Sequence, residues 1–334
     1  MLAMLPTIRL NSTLSWMFIA IGLFLALGSI ARLVALRHAD AQLRRKRLAS
    51  LRTWWLLALL LAAVVAAGQA GVCLAMAATS GLAWHEYVRL IRPGTTDRWV
   101  VRIGYLTIPV QYALIYCGWS LAAMVTIPVG GLVLLAVVRI IADDPDDYVC
   151  GIAGLAWGLL VLVYALSYTA LAAMLPETSN PIASPIGWFL YLVLLTQTND
   201  IAQALIGRRF GAHKRHRIAP RMSPNKTWEG FIGGLLFTTA IAVVLAPVLT
   251  TLPQQAIPFG KNVLLAHFFW PAFAGFLIAV SGFFGDLNMS GVKRDCGVKD
   301  SGQLLPGMGG MIDRIDSLTF AAPLYYFLIY GLVL

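Results

Sequence analysis

The chain has 334 residues, of which 59% are hydrophobic and only 12% are charged, against roughly 25% charged in an ordinary globular domain. So few charges cannot cover a water-exposed surface, which excludes a soluble fold. The formal net charge of +10 is not a nucleic-acid footprint, because the basic residues sit in short blocks between apolar runs, as topology signals and headgroup contacts do.

Apolar runs of about 20 residues, each able to cross a hydrocarbon core of about 30 Å as a helix, recur from end to end. In chain order the predicted helices cover 16–36, 99–117, 121–141, 148–175, 185–206, 231–252, 263–285 and 315–334. The first is too long, and too directly continued by Arg37 and a basic loop, to be a cleaved signal peptide. The stretch 54–84 is long for one pass and short for two, with Gly68-Gln69-Ala70-Gly71 at its middle.

Basic residues of short loops stay in the cytoplasm. Arg44-Arg45-Lys46-Arg47 precede that stretch and Arg89, Arg92, Arg98 and Arg102 follow it, so it enters and leaves on one face. Two legs of about 15 residues reach only about 22 Å each, which predicts a short, re-entrant or thinned hairpin. Alternation then puts 207–226, with seven basic residues and no acid, and 285–314 on the cytoplasmic face, and the C-terminus outside. The predicted fold is an all-α polytopic integral membrane protein with about nine or ten membrane-embedded helices. They include the N-terminal hairpin, and a polar active site faces the cytoplasm. Cys73, Cys117, Cys150 and Cys296 lack metal-ligand spacing and are assigned neither disulfide nor zinc.

Five of the 15 acidic residues fall within 286–316, interleaved with Lys293, Arg294, Lys299 and Arg314. A solvated loop would account for charge alone, but Asp286 follows an apolar run directly and Asp313 and Asp316 open the next. Carboxylates so placed lie at membrane depth, where unpaired charge is expensive. Between the two acidic groups, the turn Pro306-Gly307-Met308-Gly309-Gly310 offers backbone N–H groups to an anion. Acids mixed with Lys and Arg are what a divalent metal with a polyphosphate requires.

A second polar island lies upstream. Asn199 and Asp200 interrupt an apolar span, Gly207-Arg208-Arg209 ends it, and Ser223-Pro224-Asn225-Lys226-Thr227-Trp228-Glu229-Gly230 follows. Ser223-Pro224 reads as a helix N-cap with proline at the first helical position, and Glu229 as an acid of the next helix's first turn. Hydroxyls flanking a lysine at a helix N-terminus also make a phosphate site.

These motifs resemble those of the phosphatidate cytidylyltransferases (CDP-diacylglycerol synthases). The stretch 286–316 is similar to the family signature, with its Gly-Asp-Leu start, Ser-x-x-Lys-Arg, Lys-Asp, the Pro-Gly-x-Gly-Gly turn and Asp-Arg-x-Asp-Ser. Residues 223–230, with Gly233-Gly234, resemble its second block. Asp200 stands where the family carries an acid, and Trp84-His85-Glu86-Tyr87 with Leu90 resembles its early Glu-aromatic patch. The resemblance covers about residues 50–334, with residues 1–43 as an added span and basic loop and 44–334 as the cytidylyltransferase-like domain. Two positions depart from the pattern: Met308 replaces the histidine of the turn, and Met289 the glutamate before Ser290.

The resemblance implies transfer of a cytidylyl group from CTP to phosphatidate, giving CDP-diacylglycerol and pyrophosphate in a bacterial-type inner membrane. It implies Mg²⁺, with room for a second, monovalent cation, held by Asp286 and Asp313 with Asp316, Asp300 or Asp200 assisting. Lys293, Arg294, Lys299 and Arg314 would screen the triphosphate. Ser290 and the Gly309-Gly310 backbone would bind its oxygens. Lys226, with Ser223 and Thr227, would hold the lipid phosphate or the nucleotide. Partners are then CTP, phosphatidate and membrane lipids, with no nucleic acid; the family often forms homodimers, which no helix face here derives. Two other functions use similar parts: a CTP-dependent polyprenol or phytol kinase, and a non-catalytic lipid- or ion-binding transporter.

Overall fold

The computed structural model describes residues 12–37, 40–91, 98–143, 145, 147–211, 216–256, 263–306 and 309–333. Helices dominate because hydrocarbon offers no water to backbone N–H and C=O groups, so each span must satisfy its own. In chain order they are α1 (Ser12–Ala35), α2 (Ala41–Ala66), α3 (Gly68–Ile91) and α4 (Arg98–Tyr116). Next come α5 (Ser120–Val125) running into α6 (Leu132–Ile141), and α7 (Tyr148–Leu159) running into α8 (Leu166–Ala173). A π-helical turn joins each pair, the first of them at Thr126–Gly131, where Pro128 removes a backbone donor. The C-terminal half contains α9 (Ile186–Phe210), the strands β1 (Arg217–Ala219) and β2 (Ser223–Thr227), then α10 (Trp228–Leu249), α11 (Val263–Asp295) and α12 (Ile312–Val333).

Among the described residues, eight helical segments are long and apolar enough to cross a membrane: those of α1, α2, α5–α6, α7–α8 and α9 to α12. The fold is therefore all-α and polytopic. α3 and α4 fall outside that set, Arg98, Arg102 and Gln111 diluting the hydropathy of α4; the helix expected at 99–117 is present as α4, Arg98–Tyr116.

The hairpin also differs from expectation. Its legs are 26 and 24 residues long, about 39 and 36 Å, not half-length. Helix formation does not stop where hydropathy does. Asp40 caps α2 by accepting from the Gln42 N–H, so the basic block becomes helical, and α3 continues through His85, Glu86 and Arg89. The antiparallel return itself is present: Thr53 at the middle of α2 donates to the Pro306 carbonyl at 2.9 Å, and Glu86 near the end of α3 accepts from Met311 N of the same loop at 2.8 Å. Thr53 is buried, but Arg52 and Arg98 are exposed. In a background lacking the native cysteines, Arg52→Cys and Arg98→Cys are expected to resist a membrane-impermeant thiol reagent added to intact cells. Labelling of either from outside would reverse the assigned face.

α9, α10, α11 and α12 form the bundle that carries the polar residues. The Tyr191 hydroxyl of α9 donates to Ala242 O of α10 at 2.9 Å, and Asn199 Nδ2 donates to Ala279 O of α11 at 3.2 Å. With α11 33 residues long, about 50 Å, the signature from 286 to 295 is helix rather than the expected loop. Only 296–311 connects α11 to α12. α11 crosses α12 at Gly285, where any side chain would strike the Asp316 backbone carbonyl; the glycine before Asp286 thus brings the two acidic helix ends together.

Candidate active site

The helical repeat aligns the signature. Asp286, Ser290 and Lys293 recur at i, i+4 and i+7 along α11 and share a face. Asp313 and Asp316 are one turn apart on α12, and Asp200 and Gln203 one turn apart on α9. β1 and β2 pair antiparallel, Arg217 opposite Thr227 and Ala219 opposite Ser223, and deliver Lys226 to the end of this bundle.

Two ion pairs result. Lys226 Nζ lies 2.6 Å from Asp286 Oδ2, donates to Gln203 Oε1 at 2.9 Å and sits 5.4 Å above the Phe283 ring. Asp200 and Asp316 stand close enough for their charges to act on Asp286 and Lys226. Their carboxylates are oriented by Ser317, whose Oγ donates to Asp200 Oδ1 at 2.8 Å and whose N–H donates to Asp316 Oδ1 at 2.9 Å. Burial alone would push the Lys226 ammonium down, but the charges of Asp286 and Asp200 and the bond to Asp286 outweigh it and hold its pKa above the ordinary lysine value. It remains a cation at physiological pH.

In the second pair, Lys293 Nζ is 2.6 Å from Asp313 Oδ1, each side chain only 10% exposed. Asp313 Oδ2 accepts from Gly310 N at 3.0 Å, Ser301 N at 3.2 Å and Ser301 Oγ at 3.1 Å. Asp286 and Asp313, expected to share one metal, are thus engaged in separate pairs. The glycine turn differs too. Instead of standing open to an anion, the Gly310 N–H is taken by Asp313, and the Met311 and Ile312 N–H groups by Glu86 at 2.8 and 3.1 Å. A free helix N-terminus attracts negative charge, and carboxylates of this chain supply it first.

Other expected residues divide. Ser290 joins the first cluster, donating to Asp286 Oδ1 at 3.4 Å. Arg314 is nearby: its charge acts on Asp200, and its Nε is enclosed with no acceptor among the described residues, a donor suited to an incoming phosphate. Arg294 turns away, exposed, and donates to the Met222 and Val298 carbonyls. Lys299 and Asp300 are exposed and form no ion pair among the described residues. Ser223 is not an N-cap but the start of β2; Thr227 caps α10, its Oγ1 accepting from Gly230 N at 3.2 Å. Extended pairing with Ala219 keeps Ser223 out of helical geometry. Gly309 is bridged to Leu305, whose N–H donates to Gly309 O at 2.9 Å.

Met289 is 1% exposed and packs in the apolar core, so a glutamate there would be a buried charge in need of a partner. Met308 lies outside the described residues. The roles of Glu86, Gln203, Ser301 and Ser317 were not read from sequence. Glu86 in the Glu-aromatic patch, Ser317 as the last residue of the Asp-Arg-x-Asp-Ser motif and Gln203, one turn beyond Asp200, carried a signal; Ser301 carried none.

Hard carboxylate oxygens beside ammonium groups suit Mg²⁺, which binds through one or two carboxylates and completes its shell with phosphate oxygens and water. Asp286 with Asp200 or Asp316 has that chemistry. Among the described residues no three such side chains converge into a preformed cage.

The model of the cytidylyltransferase family matches residues 48–332. An Escherichia coli (strain K12) protein named only as uncharacterized, YnbB, is 38% identical over 279 residues, 84% of this chain and 86% of that protein. The phosphatidate cytidylyltransferase of Brucella suis is 38% identical over 52% of this chain and 57% of its own length. That of Haemophilus influenzae is 41% identical over 41% of this chain and 43% of its own. The match thus spans about half the length of these two named enzymes.

Proposed function

Because the chain belongs to the cytidylyltransferase family, and with it to the nucleotidyltransferases, we propose that it transfers a cytidylyl group from CTP to phosphatidate, forming CDP-diacylglycerol and pyrophosphate. The observation that carries this reading is the meeting of two lysine–aspartate pairs, Lys226–Asp286 and Lys293–Asp313, where the ends of α9, α11 and α12 converge. The reaction forms a bond from a lipid phosphate oxygen to the α-phosphorus of CTP and breaks the α–β bridge. A phosphate monoester is already ionised at neutral pH, so no strong base is needed, and alignment with charge stabilisation is what remains.

In this reading Lys226, Lys293 and Arg314 neutralise phosphate oxygens. Asp286 with Asp200 or Asp316 would hold Mg²⁺, which supplies Lewis-acid polarisation of those oxygens when bound. The names of the Brucella and Haemophilus relatives support a lipid phosphate as acceptor. The reading places the chain in a bacterial-type inner membrane with the site on the cytoplasmic side.

Purified protein in detergent, given α-labelled CTP, phosphatidate and Mg²⁺, is expected to yield labelled CDP-lipid and unlabelled pyrophosphate. Release of CDP with a phosphorylated polyprenol would identify a lipid kinase instead. No turnover with either acceptor would remove the reading.

A further inference from the structure

Glu86 is a buried carboxylate with no ion-pair partner among the described residues. Such a charge is costly unless other donors stabilise it. Its donors all come from more than 200 positions away: Met311 N at 2.8 Å, Ile312 N at 3.1 Å and Ser301 Oγ at 3.2 Å. The helix N-terminus of α12 adds favourable potential. Side chains on Gly302 or Gly310 would collide with the same carboxylate, so the loop is built around it.

A simple helix cap would end there, but Ser301 ties Glu86 to the reacting groups. Its Oγ lies 3.2 Å from Glu86 Oε2 and 3.1 Å from Asp313 Oδ2. A hydroxyl carries one proton, so Ser301 shares that single donor between the two carboxylates on either side of it. Asp313 is in turn the partner of Lys293. Thr53 of α2 grips the loop from the other leg of the hairpin, through Pro306 O at 2.9 Å.

We propose that Glu86 is a positioning residue: from α3 it fixes the first turn of α12 and, through Ser301, the Asp313–Lys293 pair, so that the N-terminal hairpin is an integral part of the site. The inference rests on the reading of that pair as phosphate-binding machinery. It makes the hairpin a clamp on the signature loop and not only a membrane anchor.

The test compares the intact protein with Glu86→Gln and Ser301→Ala by amide hydrogen exchange and by steady-state kinetics. The glutamine amide can accept on one side only, so residues 301–312 are expected to exchange at least about 10-fold faster while α9 and α10 do not change. CDP-lipid kcat is expected to fall about 10-fold or more, with KM for CTP within about 3-fold, as loss of alignment rather than of binding requires. Unchanged loop exchange overturns the proposal, and so does a loosened loop with wild-type kcat. Where Glu86→Gln fails to insert, Thr53→Val, which keeps shape and removes the bond to Pro306, decides by the same two measurements. A wild type that makes no CDP-lipid refutes the proposed reaction, and the exchange data still judge the clamp separately.

Discussion

Asp286→Asn is expected to lower CDP-lipid formation by about 10²–10³-fold, the effect of losing one preorganised charge at a reacting centre, with insertion and folding retained. The amide keeps the size of the side chain and can still accept from Ser290, whose Oγ lies 3.4 Å away. What disappears is the charge 2.6 Å from Lys226 and the hard anionic oxygen that Mg²⁺ needs. Folding survives because Lys226 keeps the Asp200 and Asp316 charges and the Gln203 carbonyl around it, so its ammonium is not abandoned. Initial rates at saturating CTP, with thermal unfolding of the same sample, check both halves. Activity within a few-fold of wild type would remove Asp286 from the metal and phosphate site.

Asp313→Asn is expected to be different in kind. The sequence reading treats the two aspartates alike, as metal ligands. In the structure both Asp313 oxygens are occupied, one by Lys293 and the other by the Ser301 and Gly310 groups. Removing one partner of a buried pair leaves a stranded charge and costs about 3–5 kcal/mol. The variant should therefore lose turnover and also show a clear drop in unfolding temperature, with Lys293→Met doing the same. Replacing both partners, Lys293→Met with Asp313→Leu, should recover most of the stability, because an apolar pair removes the stranded charge, and should recover no turnover. A double variant as unstable as the single ones would show that the pair is not what destabilises them. A double variant with activity would place the chemistry elsewhere.

The departures at Met289 and Met308 show how far linear comparison reaches. Both align with polar positions of the related signature, and the sequence suggests a site remodelled at two points. Met289 packs as a core side chain, although at i+3 from Asp286 and i−4 from Lys293 it borders the same face of α11. A glutamate there would have needed a buried partner of its own. Arg294 shows the converse. It is adjacent to Lys293 in sequence, yet a 100° step around α11 carries it to solvent and to the Met222 carbonyl.

Class and chemistry were legible in the chain because they depend on local sums. Hydropathy accumulates over a window of about 20 residues whatever surrounds it, so the all-α, membrane-spanning character and most of its spans needed no tertiary information. The residues of the signature were legible because a polar group at membrane depth has few uses besides function. Pairing was not legible. Which lysine meets which aspartate depends on how α9, α11 and α12 are rotated against one another and on a two-stranded turn that carries Lys226 inward. The length of α2, α3 and α11 was also decided in the fold. A charged or polar segment continues as helix when a cap such as Asp40, or a neighbour such as Pro306 O or the Ser301–Ile312 loop, rewards it. Window hydropathy contains no term for such distant partners. That is why Glu86, in sequence one acid in an apolar stretch, is a structural hub only once residues more than 200 positions away are folded onto it.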